Sequence, residues 1–362
     1  MNYRTNLDCM DLTLRLLLIT ITACILASCK FHTRKHIGPH TDVYLAGNIV
    51  KYYSNEFHRH INTAVYWKNG VMTQLSDSLT DATVKGIAIC GNDVYIVGDI
   101  SQQVNPSYET ALAVYWKNGV LTQLGQGSIE GIAFKGNDMY MVGESFGNGS
   151  SGAVYWKNGK AFSLGSGSLY SISIDGDHIY MAGCKNYTLI PPDGAYRTNV
   201  DAATYWKDDK VIILADATSV TTTRITSIDV HDGFVHCVGY ENPYDPKPVY
   251  WQNQNRYSLT PRDSTRCNAS AVTVDDDGNS VICGDMYLGR FKYQAVYWRH
   301  NTINILPHTG KGTSTSHCIT TLGSDIYIGG NDGGNAAYWK NGRLIQVGNI
   351  RGDVQAIALV NY

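Results

Sequence analysis

The chain has 362 residues and a formal net charge of −2, so it lacks the basic excess that marks nucleic-acid-binding proteins. Its 36 glycines and 25 tyrosines, with only 17% charged residues, indicate an all-β protein with many turns. Apolar residues do not recur at helical spacing over any long stretch, which argues against a helical bundle.

The chain begins with a segment that predicts export. An apolar run over residues 16–26 is too short for a comfortable membrane span. It ends in Leu26-Ala27-Ser28-Cys29, which resembles the lipobox of bacterial lipoproteins. That resemblance implies a signal peptide over residues 1–28, a lipid on Cys29 and a place in the cell envelope, at the outer membrane, at the cell surface or facing the periplasm. An uncleaved anchor and a plain secretory signal are the alternatives.

The rest of the chain divides into a short tether and one domain. Residues 29–41 are expected to form the lipidated tether, and residues 42–362 the folded part. Translation from Met10 instead of Met1 would give a more ordinary signal peptide.

Six cysteines follow Cys29, and they occupy different positions in the repeats described below. They form no CxxC pair, so we expect neither a metal nor a redox site. Buried free thiols are favoured, with one or two disulfides as the alternative in an exported protein. The six are Cys90, Cys184, Cys237, Cys267, Cys283 and Cys318.

A Tyr-Trp motif recurs seven times and contains every tryptophan of the protein. In three copies it reads Ala-Val-Tyr-Trp-Lys-Asn-Gly, and the Asn-Gly pair predicts a tight hairpin turn between two strands. Such self-similarity indicates a repeat architecture. The copies are Tyr66-Trp67, Tyr115-Trp116, Tyr155-Trp156, Tyr205-Trp206, Tyr250-Trp251, Tyr297-Trp298 and Tyr338-Trp339.

A second motif precedes the Tyr-Trp strand and completes a unit of four strands, which we label a to d. In the second unit, strand a includes residues 86–89, strand b 94–98, strand c 113–117 and strand d 120–124. Four short antiparallel strands every 40–50 residues are typical of a propeller blade. The sequence therefore predicts a seven-bladed β-propeller. Its first unit lacks strand a, and the C-terminal strand at residues 355–360 is expected to complete it.

The same units resemble bacterial extracellular repeats of the HAF, NHL and YVTN kinds. The matching parts are the a–b hairpin, such as residues 131–143, and the Ala-x-Tyr-Trp-x-x-Gly strand. The resemblance covers nearly all of the mature chain and implies the propeller architecture. It implies no particular chemistry, because propellers support diverse functions.

One position of strand a differs in chemistry from unit to unit. In every unit a small residue precedes the first aliphatic residue of strand a, as Gly86 precedes Ile87. The residue before the small one, Lys85 in this unit, varies. If strand a lines the central channel, these variable side chains surround its mouth and predict a ring that binds a ligand. The alternative is that the sequence has drifted at a solvent-exposed rim. The ring residues are Lys85, Glu130, Tyr170, Thr226, Ser270, His317 and Gln355.

Asp229 is a lone carboxylate within a strand a, where the other units have Ala, Ser or Thr. A carboxylate there must be solvated or paired. Asp229 with His317, and Glu130 near them, are the candidates for a reactive group, although a hydrogen-bonded structural Asp229 is the favoured interpretation.

Two acidic patterns resemble cation sites, but turn chemistry explains both of them better. The first is Asp275-Asp276-Asp277-Gly278-Asn279, which has the alternating oxygens of a calcium loop but no closing glutamate. The second is the polar residue after the last glycine of strand b, which is Asp99, Glu144 or Asp285 in three units and Asn48 or Asn331 in two. No metal or other cofactor is predicted.

These features favour a non-catalytic binding module for a glycan, a peptide or a protein of the envelope. The alternatives are a polysaccharide lyase or glycoside hydrolase with a site at the channel mouth, and a structural subunit of an envelope complex. We expect a monomer that is held at the membrane by its N-terminal lipid and does not bind nucleic acid.

Overall fold

The computed structural model describes residues 40–54, 59–77, 80–105, 108–147, 150–189, 198–215, 222–242, 246–260, 266–300, 302–310 and 312–362. Within these ranges the chain forms 26 β-strands and no helix. The all-β prediction is therefore confirmed. The predicted signal peptide and the lipidation site at Cys29 lie outside the described residues.

The first three repeat units include the strands up to β10. They are β1 (Thr41–Ser54), β2 (Arg59–Lys68), β3 (Val71–Gln74), β4 (Ala82–Cys90), β5 (Asp93–Asn105), β6 (Tyr108–Lys117), β7 (Val120–Lys135), β8 (Asp138–Gly147), β9 (Ser150–Lys157) and β10 (Lys160–Gly165).

The remaining strands follow the same order within each repeat. They are β11 (Gly167–Asp175), β12 (His178–Leu189), β13 (Thr198–Lys207), β14 (Lys210–Ile213), β15 (Thr223–His231), β16 (Phe234–Glu241), β17 (Lys247–Gln252), β18 (Asn255–Ser258), β19 (Cys267–Val274), β20 (Ser280–Gly289), β21 (Lys292–Arg299), β22 (Thr302–Ile305), β23 (Ser314–Leu322), β24 (Asp325–Asp332), β25 (Asn335–Lys340) and β26 (Arg343–Asn361).

The strands form three sheets of four and two sheets of seven. The four-stranded sheets are β11–β14, β15–β18 and β19–β22, each in chain order. One seven-stranded sheet has the order β10-β9-β8-β7-β6-β5-β4, in which β7 pairs with β6 at one end and with β8 at the other. The other has the order β23-β24-β25-β26-β1-β2-β3. The predicted pairing of the C-terminal strand with the first strand is therefore present.

The c–d hairpins form as the Asn-Gly pairs predict. Asn118 has a φ of 50° and Gly119 a φ of 84°, which is the left-handed backbone that a two-residue turn requires. Asn118 also fixes the neighbouring strand, because its Oδ1 accepts a hydrogen bond from the N–H of Val94 at 2.9 Å. The same contact recurs elsewhere, for example from Ile326 N to Asn341 Oδ1 at 2.8 Å.

The core lies between successive repeats. Seven hydrophobic clusters occur among the described residues, and each combines side chains of two neighbouring repeats around one tryptophan. Every tryptophan is at most 3% exposed. The Tyr-Trp motif is therefore structural, because it supplies the large side chain that fills each interface.

The described chain divides into two compact units, and residues Asp42–Val360 form the larger one. The described residues of the other are His40, Thr41, Asn361 and Tyr362, where the N–H of Tyr362 donates to the carbonyl of His40 at 3.1 Å. No helix among the described residues is long and apolar enough to cross a membrane.

The cysteines after Cys29 are mainly buried side chains. Cys184, Cys237, Cys267 and Cys283 are buried, and Cys90 and Cys318 are partly buried. Cys90, Cys184, Cys237, Cys283 and Cys318 are free thiols. Burial raises the pKa of the Cys184 thiol to about 11 and that of Cys283 to about 12, so these two are inert at neutral pH.

Candidate ligand-binding site

A cavity of about 450 Å³ is lined by strand a of every repeat. Its lining comes from β4, β7, β11, β15, β19, β23 and the C-terminal half of β26, with one residue from β16. All seven ring residues predicted from the sequence line it: Lys85, Glu130, Tyr170, Thr226, Ser270, His317 and Gln355. The chain therefore brings together seven side chains that are spread over 271 positions of sequence, from 85 to 355.

Six of the ring residues are the extra residues of β-bulges. In the β4–β5 pair, Val84 lies opposite Gly98 and Gly86 opposite Val97, so Lys85 has no partner across the strands. The same shift of register in the other a–b pairs leaves one residue without a cross-strand partner in each: Glu130, Tyr170, Thr226, Ser270 and His317. A bulge changes the direction of one side chain and bends its strand. Here it occurs at each of these positions on the cavity wall.

The bulge in strand a also explains the glycine at the end of strand b. A Cβ added to Gly98 would collide with the carbonyl oxygen of Thr83, which lies just before the bulge. An equivalent collision with strand a would occur at Gly143, Gly183, Gly239, Gly284 and Gly330. The repeated glycine therefore permits the close approach of strand b to the bulged strand a.

Two ion pairs lie at the cavity. Lys85 Nζ is 3.6 Å from Glu130 Oε2 of the next repeat, and the Ser128 hydroxyl donates to Glu130 Oε1 at 2.9 Å. Arg224 also lines the cavity, and its Nε donates to Asp201 Oδ2 at 2.6 Å. The charged side chains are thus already paired, which leaves little net charge to attract an ion.

The other polar side chains of the cavity are neutral. Burial raises the pKa of the Tyr170 hydroxyl, so this group remains a hydrogen-bond donor. Burial lowers the pKa of His317, although the charge of Asp353 opposes the shift. The His317 Nε2 lies 3.1 Å from the Thr315 hydroxyl. With Thr226, Ser270 and Gln355, these groups form a wall rich in hydroxyl, amide and imidazole groups.

Arg224 and Tyr240 line the cavity but were missed by the sequence analysis. Arg224 lies two residues before Thr226, where the aligned residues of the other units are Thr, Ser, Asn or Asp. Comparing the units at the position two residues before the ring residue would have identified this arginine. Tyr240 directly follows the strand-b glycine, at the position of Asp99 and Asp285.

Asp229 is not among the residues that line the cavity. Its Oδ1 accepts hydrogen bonds from the Ser173 hydroxyl at 3.1 Å and from Val230 N–H at 2.9 Å, and its Oδ2 accepts one from Val274 N–H at 2.9 Å. Burial raises the pKa of the Asp229 carboxyl, while these donors lower it. The carboxyl therefore links strand a of three successive repeats, as the structural interpretation expected.

Glu130 is the single acidic side chain among the described residues that line the cavity. Hydrolysis of a glycosidic bond normally uses two carboxyl groups on either side of the scissile bond. The cavity wall supplies one, and that one is paired with Lys85.

The two acidic patterns of the sequence are turns and links between strands. In the first, Asp275 Oδ1 accepts the N–H groups of Asp277 and Asn279, at 3.2 and 2.8 Å, and its Oδ2 is 3.1 Å from Arg299 Nη2. In the second, Asp285 Oδ1 accepts Ser316 N–H of the next repeat at 2.8 Å, as Asn48 Oδ1 accepts Val84 N–H at 2.8 Å. Among the described residues, no three His, Cys, Asp or Glu side chains are grouped to hold a metal.

Comparisons with known proteins reveal similarity of fold alone. No protein-family model matches the sequence, and no curated protein is significantly similar to it. The β-propeller domain of the Trilobed protease from Pyrococcus furiosus, which has an open velcro topology, matches with a TM-score of 0.52 and 11% identity, over 84% of this chain and 92% of that one.

Two larger proteins match over about half of their length. Acylaminoacyl peptidase from Pyrococcus horikoshii matches with a TM-score of 0.51 and 13% identity, over 84% of this chain and 50% of its own. A puromycin hydrolase matches with a TM-score of 0.52 and 8% identity, over 85% of this chain and 52% of its own. At these identities the likeness extends to architecture only, and together with the sheets described above it gives the chain a β-propeller fold.

Proposed function

We propose that this chain is a seven-bladed propeller that acts as a non-catalytic binding module, with the cavity inside strands a as its ligand site. Each repeat unit is one blade. The two seven-stranded sheets each divide into two blades at β7 and β26, because each of these long strands serves as strand d of one repeat and strand a of the next.

The ring of bulge residues carries this proposal. The bulge and its facing glycine are repeated, while the side chain at the bulge changes from Lys to Glu, Tyr, Thr, Ser and His. A purely structural position would favour one residue type, as the tryptophans do. Different groups at equivalent positions give an asymmetric wall with several distinct hydrogen-bonding groups, which suits recognition of one ligand in one orientation.

The chemistry of the wall favours a glycan as the ligand. The charged side chains of the wall already pair with charged groups of the protein, and its other polar groups are neutral hydrogen-bond donors and acceptors. A neutral sugar offers many hydroxyls and no charge, so it can replace water at these groups without leaving an ion unpaired. A peptide or an envelope protein is the other class of ligand that the propeller could take.

The protein is also proposed to be an exported lipoprotein that acts as a monomer at the cell envelope. This part rests on the sequence over residues 16–29, with Cys29 as the lipidated residue and residues 29–41 as the tether of the propeller domain at 42–362. Labelling cells with a radioactive fatty acid would test it, because Cys29→Ser should abolish incorporation.

A glycan array tests the binding site. We expect the soluble part, residues 30–362, to bind a defined set of glycans, and a variant with Glu130→Ser, Tyr170→Ser and His317→Ser to lose them. Ser270 already occupies the equivalent bulge, so serine should be tolerated by the fold. Thr226→Ser is the matched control and should keep binding. Unchanged binding by the triple variant would exclude the cavity as the site, and the absence of any glycan signal would exclude glycans as the ligand class.

A further inference from the structure

A second site is indicated by an arrangement that most repeats share and two neighbouring repeats lack. In four units, a lysine at the end of strand c pairs with an aspartate at the start of strand b, at 2.7–2.9 Å, and the same ammonium lies over a tyrosine ring at 5.0–5.2 Å. We call this arrangement the clasp. Its members are Asp42, Tyr44 and Lys68; Asp93, Tyr95 and Lys117; Asp138, Tyr140 and Lys157; and Asp325, Tyr327 and Lys340.

The unit around Trp206 keeps half of the clasp. Lys207 lies 5.2 Å from the ring centre of Tyr180, but His178 replaces the aspartate and pairs with Asp208 in the turn, at 2.8 Å. Five of the seven units therefore place a lysine chain across this face of the sheet.

The next two units, β15–β18 and β19–β22, have lost the clasp. In the first, Phe234, His236 and Gln252 occupy its three positions, and His236 still lies opposite Gln252 as Tyr44 lies opposite Lys68. In the second, Val281 lies opposite Arg299, and Arg299 turns to Asp275 instead. The strand pairing is kept while the side chains that cover this face differ.

An open groove lies where the clasp is missing. Two adjoining cavities of about 290 and 340 Å³ share His236, Gln252 and Gly278. They lie by the a–b turns, at residues 231–232 and 276–278, and therefore at the opposite end of strand a from the ring residues. Each cavity is close to the lower limit of ligand-binding pockets, which is roughly 300 Å³.

Aromatic side chains form the floor and one wall of the groove. His236 and Trp298 are 1% and 3% exposed, and Tyr257 is 40% exposed. The Tyr250 and Tyr257 ring centres are 5.7 Å apart, and the Tyr250 hydroxyl lies 2.8 Å from His236 Nδ1. The rings thus pack against each other, and Tyr257 remains partly exposed in the groove.

The part of the groove that holds the aromatic rings lacks carboxylate, ammonium and guanidinium groups among its described residues. Gln252, Asn279, Ser280 and His300 line the 290 Å³ cavity, and none of its described lining residues is Asp, Glu, Lys or Arg. Burial lowers the pKa of His236 to about 4, with the charge of His231 adding to the effect, so its imidazole is neutral near pH 7. A charge placed among the aromatic rings would be left unpaired, and a wholly apolar ligand would bury the amide and hydroxyl groups without partners. The carboxylates of Asp232, Asp276 and Asp277 line the adjoining 340 Å³ cavity instead.

We propose that the groove between these two units is a second binding site, which takes a neutral pyranose unit through an aromatic platform at Tyr257 and amide, hydroxyl and imidazole partners around it. A pyranose presents apolar C–H faces to the ring and hydroxyls at its edge. It therefore matches both the rings and the amide, hydroxyl and imidazole groups beside them. The site is separate from the ring residues and does not depend on the ligand proposed for them.

Restoring the clasp in the first of these two units provides a test. The variant Phe234→Asp, His236→Tyr and Gln252→Lys reproduces the composition of the four complete units and should fill the groove with a lysine chain. Binding of methyl β-D-glucopyranoside, methyl β-D-galactopyranoside and methyl α-D-mannopyranoside to the full chain would be measured by saturation-transfer NMR and calorimetry. We expect at least one glycoside to bind the unaltered chain and to lose at least tenfold in affinity in the restored variant.

Two further variants make the outcome decisive. Tyr257→Ala removes an exposed ring, so it should reduce glycoside affinity at least tenfold without unfolding the chain, even if the restored variant does not fold. The variant with Glu130→Ser and His317→Ser removes two ring residues, and adding Tyr257→Ala to it should still reduce the remaining glycoside affinity at least tenfold. Complete loss of glycoside binding in the variant without Tyr257→Ala would assign the binding to the ring residues and overturn the groove.

Three other results would overturn the proposal. The first is that none of the three glycosides binds at millimolar concentration. The second is equal binding by the Tyr257→Ala variant. The third is that N-acetyl-tyrosinamide binds in the groove and the glycosides do not, which would assign the site to a peptide side chain.

Discussion

At the residue scale, the buried Asp285 and the half-buried Asp229 show how the same side chain supports different contacts. Asp285 and Asn48 occupy equivalent positions after the strand-b glycine, and each accepts one backbone N–H of the next repeat at 2.8 Å. Asp285 needs only its acceptor oxygen for this contact. Asp229 uses both carboxyl oxygens for three donors, so an amide could not replace it.

Asp285→Asn should therefore stabilise the protein above neutral pH. Burial raises the pKa of Asp285 from 3.8 to about 7. The folded state then binds a proton more tightly than the unfolded state, so stability due to this group falls as pH rises from about 4 to 7. Removing the titration should increase the free energy of unfolding at pH 8 by roughly 2–4 kcal/mol and change it little at pH 4. Denaturant unfolding at both values measures this.

The reciprocal change, Asn48→Asp, is the matched control for that experiment. It should destabilise the protein at pH 8 more than at pH 5, because a buried carboxyl would then have to ionise beside Asp353. If Asp285→Asn lowered stability more at pH 8 than at pH 4, the ionised carboxylate would stabilise the fold, and this explanation would be wrong.

Asp229→Ala should destabilise the fold without affecting the cavity wall. It would leave the N–H groups of Val230 and Val274 without their acceptor, at a cost of about 2–4 kcal/mol. A double-mutant cycle with His317→Ala, followed by thermal unfolding, should give additive effects within about 0.5 kcal/mol. Coupling well above that value would revive the reactive pair suggested by the sequence.

At the element scale, the a–b hairpin combines a bulge with a facing glycine. The bulge directs one residue of strand a into the cavity, and the glycine allows strand b to pass the bulged backbone. Strand b therefore tolerates no side chain at this position, although it is an ordinary extended strand elsewhere. This dependence explains why the glycine recurs in every unit while the bulge residue does not.

Gly98→Ala should cost more than about 3 kcal/mol or prevent folding, because its Cβ would meet the Thr83 carbonyl. Gly119→Ala is the matched control. Gly119 has a φ of 84° and no atom within reach of a Cβ, so only backbone strain of about 1 kcal/mol is expected. Comparable costs for the two substitutions, measured by urea unfolding, would show that the strands separate easily and that the glycine is not required by the bulge.

At the scale of the whole molecule, the ends of the chain are joined by strand pairing. β26 lies between β25 and β1, and its Ala356 and Ala358 pack in the cluster that contains Tyr44 and Trp116, while Ile357 packs in the cluster of Trp67. The first and last repeats therefore share a sheet, which covers the strand edge that β1 would otherwise expose.

Deleting residues 355–362 should therefore prevent stable folding. The truncation removes these buried side chains and exposes the edge of β1. Circular dichroism and size-exclusion chromatography should show a loss of the cooperative transition or the formation of aggregates. Gln355→Ser, which changes only a ring residue, should leave both measurements unchanged. A truncated chain that remained monomeric with an unaltered melting temperature would disprove the need for this pairing.

The sequence by itself determined the repeats and their chemistry. The Tyr-Trp strand, the Asn-Gly turn and the glycine of strand b are local patterns, so their spacing was enough to predict antiparallel hairpins, tryptophans in the core and the pairing of the last strand with the first. Comparison of the units also identified the seven ring residues, because they vary at a position whose neighbours do not.

Only the tertiary structure decided how those positions are used. The bulge at Lys85 and its equivalents depends on cross-strand register, which a single strand does not reveal. The partners of Asp229 come from strands up to 56 residues away in sequence, so its structural role depends on how neighbouring repeats pack. The groove at His236 likewise combines side chains of two neighbouring repeats, a juxtaposition that depends on the packing of separate sheets.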